Sequence, residues 1–434
     1  MSFRTFAAFQ GWRAFRHRNY RLFFGGQLIS LIGTWMTSVA QSWLILQLTG
    51  NPFDLGLVTV FQFGPVLVLG LFGGLIADAL PKRPTLYVTQ IVAMVVSFLL
   101  FALAATQVVE VWHVFLLAGV MGVRNAVDMP TRQAFAVEMV GREDISNAVA
   151  LNSAMFNGAR VLGPAIAGLT IAAFGVSIAF LIDALSFLAV LLGMFLMRQA
   201  ELRPSPIFAR PTSARGVFEN LGEGLSYVRR TPMVLLAVVI VGVVATFGIN
   251  FTILIPPLAQ DVLHVGAEGY GFLMAASGVG SILAALAVAF AGSRPSRMLL
   301  GGLVLGVAEI LIGLVGDYPV DLILMFIAGT GAITMMATAN TTIQMVVPDE
   351  LRGRVMSVYT TVFAGTSPIG GLVLGALASN AGAPAAIAWG GVVSAGAAVI
   401  GLIWYRRISR VPIQVGLAST PPGPASVSSS RSIG

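Results

Sequence analysis

Apolar runs of about 20 residues or more recur along the whole chain, and they restrict its fold more than any other feature. An α-helix of that length crosses the hydrocarbon core of a bilayer with its backbone groups hydrogen-bonded inside the helix. The mean hydropathy of +0.89, with 57% hydrophobic and only 10% charged residues, lies far outside the range of soluble proteins. The sequence therefore predicts an all-α integral membrane protein.

Turn signals divide these runs into twelve expected spans. The spans cover residues 20–48, 55–79, 86–106, 111–134, 146–173, 175–197, 232–257, 269–291, 298–316, 320–346, 353–379 and 384–405. The first run is longer than the core of a signal peptide and no A-x-A-like cleavage site follows it, so we expect a retained helix.

The basic residues occur in alternate loops. Six loops, TGNPFD, TQVVE, AAFG, AQDVLHVGAEG, GDYPVD and SNAGAP, contain no Lys or Arg. Because basic loops stay in the cytoplasm, we expect a multi-pass protein of the bacterial inner membrane with both termini cytoplasmic. The net charge of +7 is spread over short segments, without the contiguous basic face that nucleic-acid binding needs, so we expect no nucleic-acid partner.

The sequence lacks the residues of several kinds of site. It has no Cys and three His, which are scattered, so it predicts no disulfide and no metal cluster. Neither G-x-x-x-x-G-K-[ST] nor H-E-x-x-H occurs, which argues against ATP-driven machinery and against an intramembrane enzyme. We expect no cofactor.

An internal repeat indicates two halves. The segment EMVGREDISNAVALNSAMF aligns with QMVVPDELRGRVMSVYTTV at an offset of 206 residues, so spans four and five repeat as ten and eleven. Parallel repeats of this kind place a binding site near the midplane between two bundles. The expected units are a bundle over 1–198, a cytoplasmic linker over 199–231, a second bundle over 232–407 and a disordered tail over 408–434.

The linker contains an amphipathic stretch. Its apolar residues at helical spacing are Val217, Leu221, Leu225 and Val228. We expect a helix that lies on the inner leaflet.

The stretch GGLIADALPKRPT concentrates charge in a short loop between spans two and three. Gly74 and Asp78 share a helix face, followed by Lys82 and Arg83. The carboxylate could hold a cytoplasmic gate closed in one conformation and release it in another. The alternative is that the two cations only satisfy the positive-inside rule.

These residues resemble the loop motif of the major facilitator superfamily, G-x-x-x-D-(R/K)-x-G-(R/K)-(R/K). Gly74, Asp78, Lys82 and Arg83 match it, whereas Ala79 and Pro81 depart from it. The resemblance implies twelve transmembrane helices in two six-helix bundles related by a pseudo-two-fold axis.

Three further segments resemble the bacterial branch of that superfamily that contains the enterobactin exporter and related efflux proteins. They are NYRLFFGGQLISLIGTWMTSVAQSWLILQLTG, AVDMPTRQAF and NGARVLGPAIAG. In the last, Gly163 and Pro164 resemble a Gly-Pro signature that the superfamily associates with exporters. A proline there removes a helix hydrogen bond and predicts a kink, with packing alone as the alternative.

Five charged residues are expected inside the membrane, where a charge is costly unless it is paired or faces a cavity. The acids are Asp128, Asp183 and Glu309, which we interpret as candidates for proton coupling, and the cations are Arg124 and Arg160. Arg124, Asp128 and Arg132 lie at i, i+4 and i+8, so a purely structural ion ladder is the alternative for Asp128. Structural pairing is likewise the alternative for the other two acids.

In the resembled fold, spans one, four, seven and ten line the substrate cavity. The candidate residues there are Gln27, Trp35, Gln41, Asn125, Phe247, Asn250, Phe251, Met335, Met336, Asn340 and Gln344. Aromatic and Met side chains with few amides suit an amphipathic solute, although each could equally serve helix packing.

The resemblance and the embedded charges together predict a secondary transporter, a monomer in the lipid bilayer that exports a small amphipathic molecule in exchange for protons. Siderophore and drug efflux are both compatible with the cavity residues. A lysolipid flippase or uniporter, and a non-transporting membrane sensor or scaffold, remain as alternatives.

Overall fold

The structure is a computed structural model that describes residues 11–203, 214–291 and 294–408. Within these ranges it leaves out the side chains of residues 71–79, 214, 215, 217, 218 and 291. The tail expected to be disordered lies, from residue 409 onward, outside the described residues.

Helices make up nearly all of the described chain, and no strand occurs in it. Numbered in chain order, they are α1 (Arg18–Thr49), α2 (Pro52–Ala79), α3 (Lys82–Ala105), α4 (Val111–Phe174), α5 (Val176–Phe195), α6 (Ala214–Arg230), α7 (Pro232–Phe247), α8 (Phe251–Pro257), α9 (Gly266–Ala291), α10 (Pro295–Val315), α11 (Tyr318–Val346), α12 (Asp349–Ala381) and α13 (Ala383–Ile408). Ten helical segments of the described part are long and apolar enough to cross a membrane.

Helix α4 supplies two further spans. Its 64 residues are far too many for one crossing at about 1.5 Å per residue, and the chain turns at Gly141, whose φ of 74° and ψ of 176° are not helical. Glycine adopts a positive φ without the steric cost of a Cβ atom. The prediction of a loop between the fourth and fifth spans is therefore wrong, because a break at the single residue Gly141 separates them.

The seventh span also differs from the expected continuous helix over 232–257. It consists of α7, a break at 248–250, α8 and a π-helical turn over Leu258–Val262. Asn250 stabilises the break, because its side-chain amide donates a hydrogen bond of 2.7 Å to the backbone carbonyl of Thr246.

The spans form two six-helix bundles, as predicted. In the first bundle α1 packs on α4 and α5, and α2 packs on α4; in the second, α10 packs on α11 and α13, and α9 packs on α11. An even number of spans places both ends of the chain on one side, which we call the terminal face. We call the other side the opposite face.

The two bundles make their closest contacts near the opposite face. A Cβ atom placed on Gly56 of α2 would overlap the backbone carbonyl of Gly371 in α12, and one on Gly375 would lie 3.0 Å from the carbonyl of Pro52. Nearer the terminal face, residues 61–70 of α2 are all at least partly exposed. The bundles are therefore closed at the opposite face and parted toward the terminal face.

The same closure occurs between α4 and α9. A Cβ atom on Gly271 would lie 2.5 Å from the carbonyl oxygen of Pro164, and one on Gly168 would lie 2.9 Å from that of Ala267. Glycines let helix backbones approach this closely.

The linker helix α6 is amphipathic as predicted, but its apolar stripe packs on protein as well as facing outward. Val228 is 2% exposed, whereas Leu225 is 38% exposed. Glu223 forms an ion pair with Arg354 at the start of α12. Helix α6 is therefore docked on the second bundle, and its expected position on the inner leaflet stays a prediction.

Candidate functional site

A buried charge network occupies the first bundle. Asp128 is 1% exposed, and its Oδ1 accepts hydrogen bonds from Thr89 Oγ1 at 2.7 Å and Gln90 Nε2 at 2.8 Å. Arg124 Nη2 lies 3.3 Å from the same oxygen, and Arg132 forms an ion pair with Oδ2. All four partners are donors, and this arrangement suits a permanently ionised carboxylate.

The cations of this network bind further groups. Arg124 donates to the backbone carbonyl of Thr89 at 3.1 Å and to Asn125 Oδ1 at 2.9 Å, and Arg132 donates to Gln27 Oε1. The network thus cross-links α1, α3 and α4. Gln27 and Asn125, two of the expected cavity amides, are engaged in it, and the geometry favours the structural alternative for Asp128.

Asp183 lies in a different environment. It is 1% exposed, and its Oδ2 accepts hydrogen bonds from Ser97 at 2.7 Å and Thr37 at 2.8 Å. Its Oδ1 has no hydrogen-bond partner among the described residues. No described cation lies within ion-pair distance of this carboxyl group, which is therefore held at the junction of α1, α3 and α5 by neutral donors alone.

Glu309 occupies the matching junction of the second bundle. It is 3% exposed, and Oε2 has no hydrogen-bond partner in the described part of the chain. A Cβ atom on Gly391 of α13 would lie 2.9 Å from Glu309 Cβ. In both bundles a glycine of the first span faces a serine of the last, Gly33 against Ser186 and Gly248 against Ser394. Each bundle thus holds one embedded acid between its third and sixth spans.

Asp321 was missed by the sequence analysis. It stands where the loop GDYPVD meets the span expected over 320–346 and was not counted among the embedded acids. It lies in the first turn of α11, is fully buried and has no hydrogen-bond partner for either carboxylate oxygen within the described residues. The available signal was periodicity, because Leu324, Met325 and Ala328 follow on the same helix face and are also buried.

Arg160 lies where the bundles begin to part. A Cβ atom on Gly278 of α9 would lie 3.2 Å from the carbonyl oxygen of Arg160. Ser153 and Ala154 lie about two helical turns nearer the terminal face on the same helix, and both are exposed. The guanidinium carbon of Arg160 is 6.0 Å from the ring centroid of Trp35, within the range of a cation–π contact.

The remaining cavity candidates divide into two groups. Gln41, Asn250 and Phe251 are buried in helix packing, so they do not line an open surface in this conformation. Met335 is likewise buried, against α10. Three candidates lie nearer to exposed surface: Phe247 packs edge-on against Trp389 at 5.5 Å, Asn340 accepts a hydrogen bond from Gln344, and Gln344 is exposed.

The loop motif is only partly described. Helix α2 continues through Gly74 and Asp78, but the side chains of these two residues lie outside the described residues. Arg83 donates a hydrogen bond of 2.7 Å to the carbonyl of Met194 at the end of α5. Lys82 is the first residue of α3. The cation of Arg83 thus binds within its own bundle and caps a helix C-terminus.

The kink predicted at Gly163 and Pro164 stays a prediction, because both residues lie inside α4. The non-helical backbone angles within α4 are at Gly141, and the helix continues through the Gly-Pro pair. Gly163 instead allows close packing on α1, because a Cβ atom there would lie 3.0 Å from the carbonyl of Ile32. The carbonyl of Pro164 lies close to Gly271 of α9, so Gly163 serves packing within the first bundle and Pro164 the contact between bundles.

A clamp at the terminal face joins the start of the chain to α4. Asp144 lies one turn beyond Gly141 and forms an ion pair with Arg13 at 3.0 Å and a hydrogen bond with His17 Nε2 at 2.9 Å. The His17 hydrogen bond, with the Arg13 charge as a further cause, lowers the pKa of Asp144 below its usual value.

Comparison with known proteins agrees with this architecture. Residues 9–413 match the family described as Transmembrane secretion effector. A crystal structure of a mutant of the nucleoside transporter NupG has the same fold, with a TM-score of 0.73 at 12% identity over 89% of this chain and 99% of that one.

Three relatives are similar over most of their length. The multidrug efflux pump Tap of Mycolicibacterium fortuitum is 29% identical, over 81% of this chain and 87% of that protein. The staphyloferrin A transporter of Staphylococcus aureus is 26% identical, over 82% and 88%. The enterobactin exporter EntS of Shigella boydii is 23% identical, over 92% and 95%.

These matches confirm the resemblance that the sequence motifs indicated, including its exporter branch, and they identify a transporter rather than an enzyme. The chain belongs to the Transmembrane secretion effector family of the major facilitator superfamily, and it is a multi-pass membrane transporter.

Proposed function

We propose that this transporter exports a small amphipathic molecule, siderophore-like or drug-like, from the cytoplasm in exchange for protons. The relatives are named for multidrug efflux and for siderophore transport or export. Partly exposed aromatic, Met and amide side chains on the candidate spans, such as Trp35, Met336 and Asn340, support the same class of solute.

The basic loops support the proposed orientation in the membrane, and the direction of transport is proposed from the relatives named for efflux and export. These loops lie on the terminal face, which is the cytoplasmic face under the positive-inside rule. The closed opposite face and the parted terminal face then correspond to an inward-open conformation, in which a cytoplasmic solute reaches the space between the bundles. Proton entry from outside would drive the return step.

The environment of Asp183 is the observation that supports the proposed proton coupling. A carboxyl group that changes its protonation during transport needs burial without a permanent counter-cation, and Asp183 meets both conditions. Two hydroxyl donors orient Oδ2, while Oδ1 is left free to hold a proton. Its contacts to α1 and α3 would change whenever these helices move relative to α5. Glu309 is the second candidate, in the matching junction.

The test uses the purified protein in liposomes that contain a pH-sensitive dye. Opposed gradients of siderophores, cationic dyes and lysolipids are imposed in turn, for the wild type and for Asp183→Asn, Glu309→Gln and Asp128→Asn. We expect solute-driven proton movement in the wild type and its loss in Asp183→Asn. The matched control is Asp261→Asn, since Asp261 is an exposed acid at the opposite face.

Other outcomes separate the alternatives. Solute movement without proton movement, unaffected by all the acid variants, would replace the proposal with a uniporter. Movement of lysolipid alone would indicate a lipid flippase. No movement of any solute by protein that remains folded would favour a sensor or scaffold.

A further inference from the structure

We propose that the space between the bundles holds an anion-binding subsite at Arg160, so that the transported molecule carries a carboxylate attached to an apolar, aromatic body. This inference rests on the proposed export of an amphipathic molecule and narrows its substrate class. It comes from three features of Arg160: its position at the closure, its lack of a counter-charge and its aromatic neighbours.

The position of Arg160 gives a ligand access to it. Its backbone takes part in a close contact between α4 and α9, because a Cβ atom on Gly278 would lie 3.2 Å from the carbonyl oxygen of Arg160. The exposed residues Ser153 and Ala154 follow on the same helix toward the terminal face. A solute entering from the terminal face therefore reaches Arg160 at the end of the opening.

Arg160 has no counter-ion within the described part of the chain. No carboxylate of the described residues lies within ion-pair distance of its guanidinium group, and no hydrogen-bond partner occurs there either. Arg124, the other embedded cation, has Asp128 as its counter-ion. An unpaired guanidinium inside a membrane protein is costly, and an anionic ligand would remove that cost by charge-assisted hydrogen bonds.

The surroundings of Arg160 define the rest of the ligand. Its guanidinium group lies over Trp35 of α1, and Trp35 packs edge-on against Phe156, with 5.7 Å between the ring centroids. Phe156 precedes Arg160 by one helical turn, so both side chains project from the same face of α4. A guanidinium group next to two aromatic rings fits a carboxylate, which it binds through paired hydrogen bonds, on an apolar body that packs against the rings.

The test is a binding measurement with a matched pair of fluorescent probes, dansylglycine and its neutral analogue dansylglycinamide. The full chain is placed in nanodiscs, empty nanodiscs serve as the blank, and no proton gradient is applied. We expect the wild type to bind the acid about tenfold or more tightly than the amide, as a charge-assisted hydrogen bond allows. Arg160→Gln should remove this preference while amide binding stays within about twofold. Arg160→Lys, which keeps the charge but loses the planar fork, should retain part of it.

The control is Arg294→Gln, which removes an exposed cation at the terminal face and should leave the preference unchanged. Unchanged amide binding by Arg160→Gln shows that the variant is folded. Equal binding of acid and amide to the wild type, a preference that survives Arg160→Gln, or no binding of either probe at millimolar concentration would each overturn the proposal. Because the assay needs no transport, a failure of proton coupling in liposomes would leave this result intact, and the reverse also holds.

Discussion

Gly56 and Gly371 pack backbone against backbone between the two bundles, with no room for a Cβ atom on Gly56. Around this pair the backbones of α2 and α12 approach closely. Thr59 Oγ1 also donates a hydrogen bond of 3.3 Å to the carbonyl oxygen of Ser367. Closure at the opposite face therefore depends on residue size at a few positions.

Gly371→Val is expected to favour the conformation that is open at the opposite face. A Cβ atom at this position would meet Thr59 Oγ1, and overpacking costs about 1–3 kcal/mol, enough to change a ratio of two conformations about 5- to 150-fold. The chain has no Cys, so spin labels on Val108→Cys and Ser379→Cys would report the separation of the bundles. We expect a longer mean distance between the labels.

The matched control for the gate is Gly396→Val in α13. It makes the same chemical change in a helix, but nothing lies within 4 Å of the added Cβ atom. An unchanged label distance in Gly371→Val, or an equal change in both variants, would show that backbone approach does not determine closure.

Asp128→Asn is expected to destabilise the protein strongly. The substitution leaves Arg124 and Arg132 close together without their shared counter-ion, and breaking a buried ion pair costs about 3–5 kcal/mol. Thermal unfolding in detergent should show a markedly lower Tm than for the wild type. Asp183→Asn should lower the Tm much less, because neutral hydroxyl groups, not cations, hold that carboxyl group. A reversed order of the two Tm values would contradict these structural roles.

Asp144→Asn is expected to destabilise the clamp at the terminal face in a pH-dependent manner. The folded-state pKa of Asp144 is lowered by the His17 hydrogen bond and by Arg13, so its ionised form stabilises the fold above the unfolded pKa of about 3.9. That contribution is lost as the pH falls through the lower folded-state pKa. The wild type should therefore have a higher Tm than the variant near neutral pH, and this difference in Tm should shrink below about pH 4.

The control for the clamp is Glu201→Gln, which removes an acid from an exposed pair with Arg198 at the same face. Exposed pairs contribute little to stability, so this variant should show a small difference at every pH. A wild-type advantage for Asp144 that grew as the pH fell below about 4 would have the wrong sign for the proposed contacts.

The sequence predicted the architecture well, because apolar length, charged loops and the internal repeat are one-dimensional signals. The spacing of Arg124, Asp128 and Arg132 also indicated their ion pairs, which lie four residues apart in one helix. The sequence could not indicate the partners of Asp183, because Thr37 and Ser97 are far away in the chain and only packing brings them together.

Local breaks were the other source of error. The charge-rich segment around Gly141 was expected to form a loop, but a single glycine with positive φ reverses the direction of the chain. The backbone conformation at such sites depends on tertiary contacts, such as Arg203 packing on Gly141, which sequence periodicity does not report.

Gly224→Leu is expected to release the linker helix α6 from the second bundle. A Cβ atom on Gly224 would lie 2.5 Å from the carbonyl oxygen of Arg354, so a branched side chain would force α6 away from α12 and would separate Glu223 from Arg354. Trypsin should then cleave more rapidly at Arg229 and Arg230, the last two residues of α6. Gly222→Leu is the matched control, because a Cβ atom there meets nothing within 4 Å. Equal cleavage of the two variants would show that the contact does not hold α6. Faster cleavage in Gly224→Leu alone would establish that the linker moves with the second bundle, so that rocking of the bundles is transmitted to the segment that joins them.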